Sequence, residues 1–139
     1  LADLQEALKL VQAEPAVKRR LKLDKLLKFF RHHPLGQEIM SQGDKLVREA
    51  PFAMLFEDRD SHEDMVIRGI VDGYIRYADH IVLFDYKTDR YQDPAQLVRR
   101  YKDQMDLYAR ALHKSFDELR VDKYLILLGG DEVLVERLD

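Results

Sequence analysis

Apolar residues recur three and four apart through the first forty positions. Leu4, Leu8 and Val11 share one helical face, and Asp3 stands where a cap is expected. The pattern pauses at Glu14-Pro15 and resumes, with Asp24 placed to cap a second helix carrying Leu26, Leu27, Phe29 and Phe30. The run "HHP" ends that helix. Pro34 opens a short third one through Met40, and Gly43 supplies a stop.

The period then changes. "REAPFAMLF" (48–56) is short, apolar and flanked by turn formers, and predicts a strand; "EDRDSHED" (57–64) reads as a solvated loop. "MVIRGIVDGYIRY" (65–77) and "HIVLFDYKT" (80–88), rich in β-branched and aromatic residues, predict a hairpin. A long helix comes next, over 93–116. Asp93 caps it, Pro94 takes its first position, and Leu97, Tyr101, Met105, Tyr108 and Leu112 form its stripe. "KYLILLGG" (123–130) and "EVLVERL" (132–138) complete the set as strands. The order is α/β, with mixed strand directions. It divides into a helical segment (1–43) and an α/β core (44–139) of one domain.

Composition narrows this picture. The chain is 139 residues long, 46% hydrophobic and 35% charged, with no cysteine and a net charge of −3. That supports a real core and excludes disulfides and thiolate metal sites. No apolar run approaches a membrane span, no signal peptide is legible, and a cytoplasmic location is the default expectation. A free-standing, non-specific DNA binder is usually basic, so contact with nucleic acid here needs a local patch or a larger assembly. The chain opens without Met in the middle of a helical pattern, and reads as a piece of something longer.

The hairpin carries the chemistry. If Ala78-Asp79 is a two-residue turn, Tyr77 faces His80 and Asp72 faces Asp85, while Ile70 faces Lys87 on the same side. Directly opposed side chains have Cβ atoms about 4.5–5.5 Å apart, and like charges there destabilise. Such a pair stays half protonated or shares a cation. A hard divalent cation such as Mg²⁺, with Mn²⁺ as substitute, suits carboxylate oxygens. Lys87, two residues after Asp85, rises on the same face and is placed to hold an anion or act on a water. Metal, acidic pair and lysine together suit attack on a phosphodiester. A plainer reading keeps Asp85 as a strand-end residue ion-paired with Lys87.

Taken in order, "RGIVDG", "DHIVLFDYKTD" and "QMDLYARAL" resemble the RecB-like branch of the PD-(D/E)XK nucleases. More closely, they resemble the C-terminal nuclease domains of AddA (RexA) subunits of bacterial ATP-dependent helicase/nucleases; the resemblance runs from about Glu49 to Leu112. It implies a restriction-endonuclease-like mixed sheet flanked by helices, and Mg²⁺-dependent hydrolysis of DNA during double-strand break processing. In it, Asp72, Asp85 and the backbone carbonyl of Tyr86 are the metal ligands, Lys87 is the active-site lysine, and Gln104 and Tyr108 form the Q-x-x-x-Y motif. Glu49 matches an upstream acidic position. The implied partners are a DNA single strand fed by a helicase motor and a second, AddB/RexB-like subunit. The sequence departs from the branch in one respect: it lacks the G-x-x-x-H motif of an N-terminal helix. His32 and His33 lie in a stretch resembling family sequence just downstream of that motif. The chain also carries no G-x-x-x-x-G-K-[ST] loop.

Other features read two ways. Arg99, Arg100 and Lys102 suit a phosphate strand or a plain solvated helix face. So does the basic run "VKRRLKLDKLLKFFRHH" (17–33). His62 lies in the acidic loop and is a poor ligand, and Gly69 marks a bulge or a packing contact. Two rival functions remain: a non-catalytic DNA-guiding or subunit-docking module, and a stand-alone endonuclease.

Overall fold

The computed structural model describes residues 2–12, 16–57 and 59–139, and the side chains of all of these except 16–21 and 56. Three helices come first: α1 (Ala2–Val11), α2 (Ala16–His32) and α3 (Pro34–Ser41). A 3₁₀ turn at Gly43–Lys45 leads into β1 (Leu46–Glu57), β2 (Asp64–Arg76) and β3 (His80–Lys87). Then come α4 (Pro94–Ser115), β4 (Arg120–Leu127) and β5 (Leu134–Leu138). The five strands form one sheet in the order β1-β2-β3-β4-β5. Only β3 and β4 are parallel, and α4 crosses between them.

The sheet is covered on both faces. On one, Ile75, Val82, Phe84 and Ile126 pack with Ala7, Val11, Leu26, Phe30, Leu35 and Ile39 of α1–α3. On the other, Ile81, Leu83, Leu125 and Leu127 pack with Leu97, Met105, Tyr108 and Leu112 of α4. Strand alternation explains the division: odd positions of β3 face α4 and even positions face α1–α3. Burying each large side chain contributes about 1.5–3 kcal/mol, so both layers hold the sheet rigidly.

Several sequence expectations need correction. Asp24 does not cap a helix but lies exposed in the middle of α2. No Pro or Gly interrupts 16–32, and Leu23, Leu26 and Leu27 keep the helix continuous on the core. Asp3 lies within the first turn of α1, where Arg31 Nε holds it at 2.7 Å. The fourth strand begins at Arg120 rather than Lys123, because parallel pairing starts at His80–Arg120. Other expectations hold: Asp93 Oδ1 caps α4 through the Ala95 N–H at 3.0 Å. His33 adds a cap of its own, accepting the Leu35 N–H at the start of α3. The Glu14-Pro15 pause, and the side chains of 17–21 in the basic run, lie outside the described residues.

Candidate active site

The β2–β3 hairpin closes as the sequence predicts. Tyr77 N–H donates to the His80 carbonyl at 2.8 Å, and pairing runs from Arg76–Ile81 to Gly73–Phe84. One step further, Asp72 and Asp85 fall opposite each other, and there the ladder stops. Their side chains take over the backbone's partners. Asp72 N–H donates to Asp85 Oδ1 at 3.3 Å, and Tyr86 N–H donates to Asp72 Oδ2 at 2.7 Å. Beyond this row the strands part company, so Ile70 does not face Lys87. It pairs with Pro51 of β1 and is 62% exposed.

The first sheet ladder is disturbed at the same row. β1 and β2 keep one register on either side, from Arg48–Gly73 to Ala50–Val71, while Glu49, opposite Asp72, drops out of pairing. Glu49 has φ +49°, a left-handed conformation unusual for a side-chain-bearing residue. Val71 and Tyr74 both reach the α4 layer, although an uninterrupted strand puts residues three apart on opposite faces. The chain is therefore locally twisted about Asp72 and Gly73. No residue is inserted in either strand, so this is a twist within one register rather than a bulge, and it re-aims the side chains at this row.

Asp85 is 5% exposed, the one buried polar or charged residue among those described. Its Oδ2 pairs with Lys87 Nζ at 2.8 Å. Lys87 Nζ also donates to Gln104 Oε1 at 2.9 Å and lies 4.0 Å from the ring centre of Tyr101. Tyr108, four residues after Gln104, is buried edge-to-face on Phe52, ring centres 4.8 Å apart. A Cβ on Gly69 would lie 2.6 Å from the Phe52 ring, so that glycine is a close-packing position beneath the Phe52–Tyr108 pair. Burial pushes the Asp72 carboxyl up to about 7, with Asp85 beside it adding to the effect. Burial also raises the Tyr108 hydroxyl, with the charges of Asp85 and Asp72 contributing.

Asp72 opens on its other side into a cleft of about 340 Å³, shared with Glu6, Lys9, Arg48, Glu49 and Tyr86. Here α1 contributes charge. Glu6 Oε2 takes Arg48 Nε at 2.6 Å, Glu6 Oε1 takes the Tyr86 hydroxyl at 3.4 Å, and Lys9 Nζ pairs with Glu49 at 2.5 Å. The Tyr86 hydroxyl is held well above its ordinary value, by burial first and by Glu6 second.

The structure thus brings Asp72, Asp85, Lys87, Gln104 and Tyr108 together at one end of β3, with Glu49 across the sheet. The basic residues scatter. Arg100 leans toward the site and pairs with Asp89 at 2.8 Å, whereas Lys102 lies about 200° around the helix from Gln104 and pairs with Asp106 at 3.1 Å. Arg99 is exposed. His62 sits at the exposed loop, 3.6 Å from Glu57. Three neighbours escaped the sequence reading: Glu6, Asp89 and Tyr101. Asp89 was findable, since it continues the alternation of Asp85 and Lys87; Tyr101 was findable as the position three before Gln104. Glu6 carried no signal, because α1 meets Arg48 of β1 and Tyr86 of β3 only in three dimensions.

The donor chemistry suits a hard divalent cation: two carboxylates are fixed side by side at a ladder end, where burial and the like charge of Asp85 raise Asp72 and a cation would relieve both. Among the described residues no group of three or more His, Cys, Asp or Glu converges as a full cage. Mg²⁺ typically takes one or two carboxylates and fills the rest of its shell with water, which two aspartates would satisfy.

Comparison with known proteins gives a consistent result. The model of the PD-(D/E)XK nuclease superfamily matches residues 2–135. The chain is 54% identical over 138 residues to the A subunit of the ATP-dependent helicase/nuclease of Streptococcus pneumoniae (strain CGSP14), covering 99% of this chain and 11% of that protein. The same figures hold for the exonuclease/helicase subunit RexA of S. pneumoniae serotype 4. For the corresponding subunit of Streptococcus sanguinis the identity is 48% over 139 residues, again 11% of the relative. The chain thus spans about a ninth of the curated relatives it matches. Among solved structures, the crystal structure of SSO0001 superimposes with a TM-score of 0.54 at 14% identity, over 98% of this chain and 75% of that one. That likeness speaks for the fold.

Proposed function

The chain belongs to the PD-(D/E)XK nuclease superfamily, and from that premise we propose that residues 1–139 act as one metal-dependent DNA nuclease domain of a helicase/nuclease. The observation that carries this reading is the meeting of Asp72, Asp85 and Lys87 where the β2–β3 ladder ends, with Gln104 of α4 already bonded to Lys87. Asp72, Asp85 and the Tyr86 carbonyl would hold Mg²⁺, or Mn²⁺ in its place. When bound, that ion polarises a phosphate oxygen and makes a water acidic enough to attack at neutral pH. The residues do the rest. Lys87 places a positive charge where negative charge develops on the phosphoryl oxygens. Gln104 orients Lys87 and offers its amide to the phosphate. Tyr108, braced on Phe52, presents its ring edge to the strand. Arg99, Arg100 and Lys102 guide the backbone, Arg100 from the site's own flank. Glu49 is an auxiliary acid across the sheet.

The wider role extends the motif resemblance, and the relatives' names, a helicase/nuclease subunit and an exonuclease/helicase subunit, support its helicase and nuclease parts. A motor elsewhere in the assembly feeds a single-stranded DNA end, the chain cuts it as an exonuclease in double-strand break processing in the bacterial cytoplasm, and a second AddB/RexB-like subunit completes the enzyme. No helix among the described residues is long and apolar enough to cross a membrane.

The test pairs binding with cleavage. Mn²⁺ is titrated into the chain by calorimetry, beside Asp85→Ala, and end-labelled single-stranded DNA is incubated with each in Mg²⁺ or EDTA. The expected result is saturable binding and Mg²⁺-dependent cleavage, both lost in the variant. Binding and cleavage absent from the wild type, or unchanged in Asp85→Ala, overturn the reading in favour of a DNA-guiding module.

A further inference from the structure

The lysine is held in a way that its motif does not account for. Lys87 Nζ has three partners: Asp85 Oδ2 at 2.8 Å, Gln104 Oε1 at 2.9 Å and the face of Tyr101 at 4.0 Å. In the proposed reaction Asp85 is drawn toward the cation, and Gln104, while its Oε1 holds Lys87, turns its amide N–H toward the phosphate. The ring of Tyr101 competes with neither. A cation over a tyrosine face is attracted by the ring quadrupole without surrendering an N–H.

Tyr101 is itself fixed. Its hydroxyl donates to Asp89 Oδ2 at 2.7 Å, and the same oxygen takes Arg100 Nη1 at 2.8 Å. Asp89 is fixed in turn by backbone. A Cβ on Gly129 would lie 1.9 Å from the Asp89 carbonyl oxygen, so the chain after β3 lies directly against the end of β4. Leu128 N–H donates to the Lys87 carbonyl at 2.8 Å and ties the two ends together.

We infer that Tyr101, anchored by Asp89, is a positioning residue that keeps the Lys87 ammonium in place while Asp85 and Gln104 serve the cation and the substrate. The inference rests on the nuclease reading for its purpose, but its geometry is testable alone. The lysine ε-methylene resonances of the chain are recorded by NMR, Lys87 being assigned by its disappearance in Lys87→Arg. In the wild type the Lys87 signal is expected upfield of the other lysines, shifted by the ring current. Tyr101→Phe keeps that shift, and Tyr101→Leu loses it while the amide spectrum stays folded. Steady-state cleavage of single-stranded DNA is then expected to lose about 10- to 100-fold in kcat in Tyr101→Leu, the scale of a slightly misplaced group, with KM little changed. Tyr101→Phe keeps the ring and retains most of kcat, and Asp89→Asn, whose amide oxygen still accepts from the Tyr101 hydroxyl, loses no more than Tyr101→Phe.

An ordinary Lys87 shift in the wild type overturns the inference, as does a loss in Tyr101→Phe equal to that in Tyr101→Leu, or a loss falling on KM. Should Tyr101→Leu fail to fold, the wild-type shift together with Tyr101→Phe and Asp89→Asn decides the matter. A wild type with the upfield lysine and no cleavage in any divalent cation leaves the positioning intact and sinks the nuclease reading instead.

Discussion

The two ends of the β2–β3 hairpin are built on different terms. Near the turn, Gly73–Arg76 and Ile81–Phe84 pair without interruption, and Ile75, Ile81 and Leu83 are wholly buried. At the far end the same two strands stop pairing, carboxylates stand in for the ladder, and the edge partner Glu49 enters a left-handed conformation. The regular end gives the sheet its stability. The irregular end gives up main-chain hydrogen bonds, and backbone N–H donors fix the carboxylates there beside the Asp85–Lys87 ion pair. The charged groups are concentrated where the sheet ceases to be regular, and rigidity is borrowed from a few residues away.

The sharpest way to break this contrast is to strike each end separately. Asp85→Ala or Lys87→Ala is expected to lower the rate of single-strand cleavage by about 10²-fold or more, the scale seen when a preorganised charge is removed from a reacting centre, while circular dichroism stays native. Leu83→Ala, one turn of the pleat away, is expected to cost about 2–5 kcal/mol in urea unfolding through loss of contacts and a cavity. Its folded fraction should retain specific activity. Equal damage to fold and chemistry from both substitutions would erase the distinction.

A subtler separation uses pH. The Asp72 carboxyl is raised from an ordinary 3.8 to about 7 in the fold, chiefly by burial. Folding therefore favours its protonated form. The stability this contributes is complete below about pH 4 and is lost as pH climbs through 7. Without divalent cations, thermal unfolding should come at lower temperature at about pH 8 than at about pH 5. Asp72→Asn should flatten that dependence and, at the higher pH, match or exceed the wild type. A wild-type profile unchanged by the substitution would show that the burial of Asp72 is not what this end of the sheet tolerates. The smallest effect expected concerns the flanks of α4. Arg100→Ala should lower the salt dependence of DNA binding by about one phosphate contact, and Lys102→Ala by less, since Lys102 lies away from Gln104 and is engaged with Asp106. Fluorescence anisotropy across a salt series reads both.

Much of this was legible in the chain itself. The period of two in Ile81, Leu83, Asp85 and Lys87, the two-residue turn at Ala78-Asp79 and the Asp93-Pro94 cap are local rules, and they place the hairpin, the register and α4 without tertiary information. From the register alone, Asp72 had to meet Asp85. The sequence also marked Gln104 and Tyr108 as one helical face. What it could not mark is where pairing stops. Whether Ile70 reaches Lys87 depends on whether β2 stays with β3 or with β1, and β1 wins through eleven paired positions against four. Nor could it show that Gln104 lands on Lys87 or that Tyr101 lies beneath it. Those contacts depend on how α4 is laid across the sheet, which the α4-side core of Leu97, Met105 and Leu112 decides. Glu6 reaches Tyr86 for a like reason: the two are 80 positions apart in sequence and adjacent only once α1 packs on the opposite face. Short-range periodicity and turn chemistry wrote the elements and one register into the chain. The packing of two helical layers against a twisted sheet decided which charged side chains came to share a site.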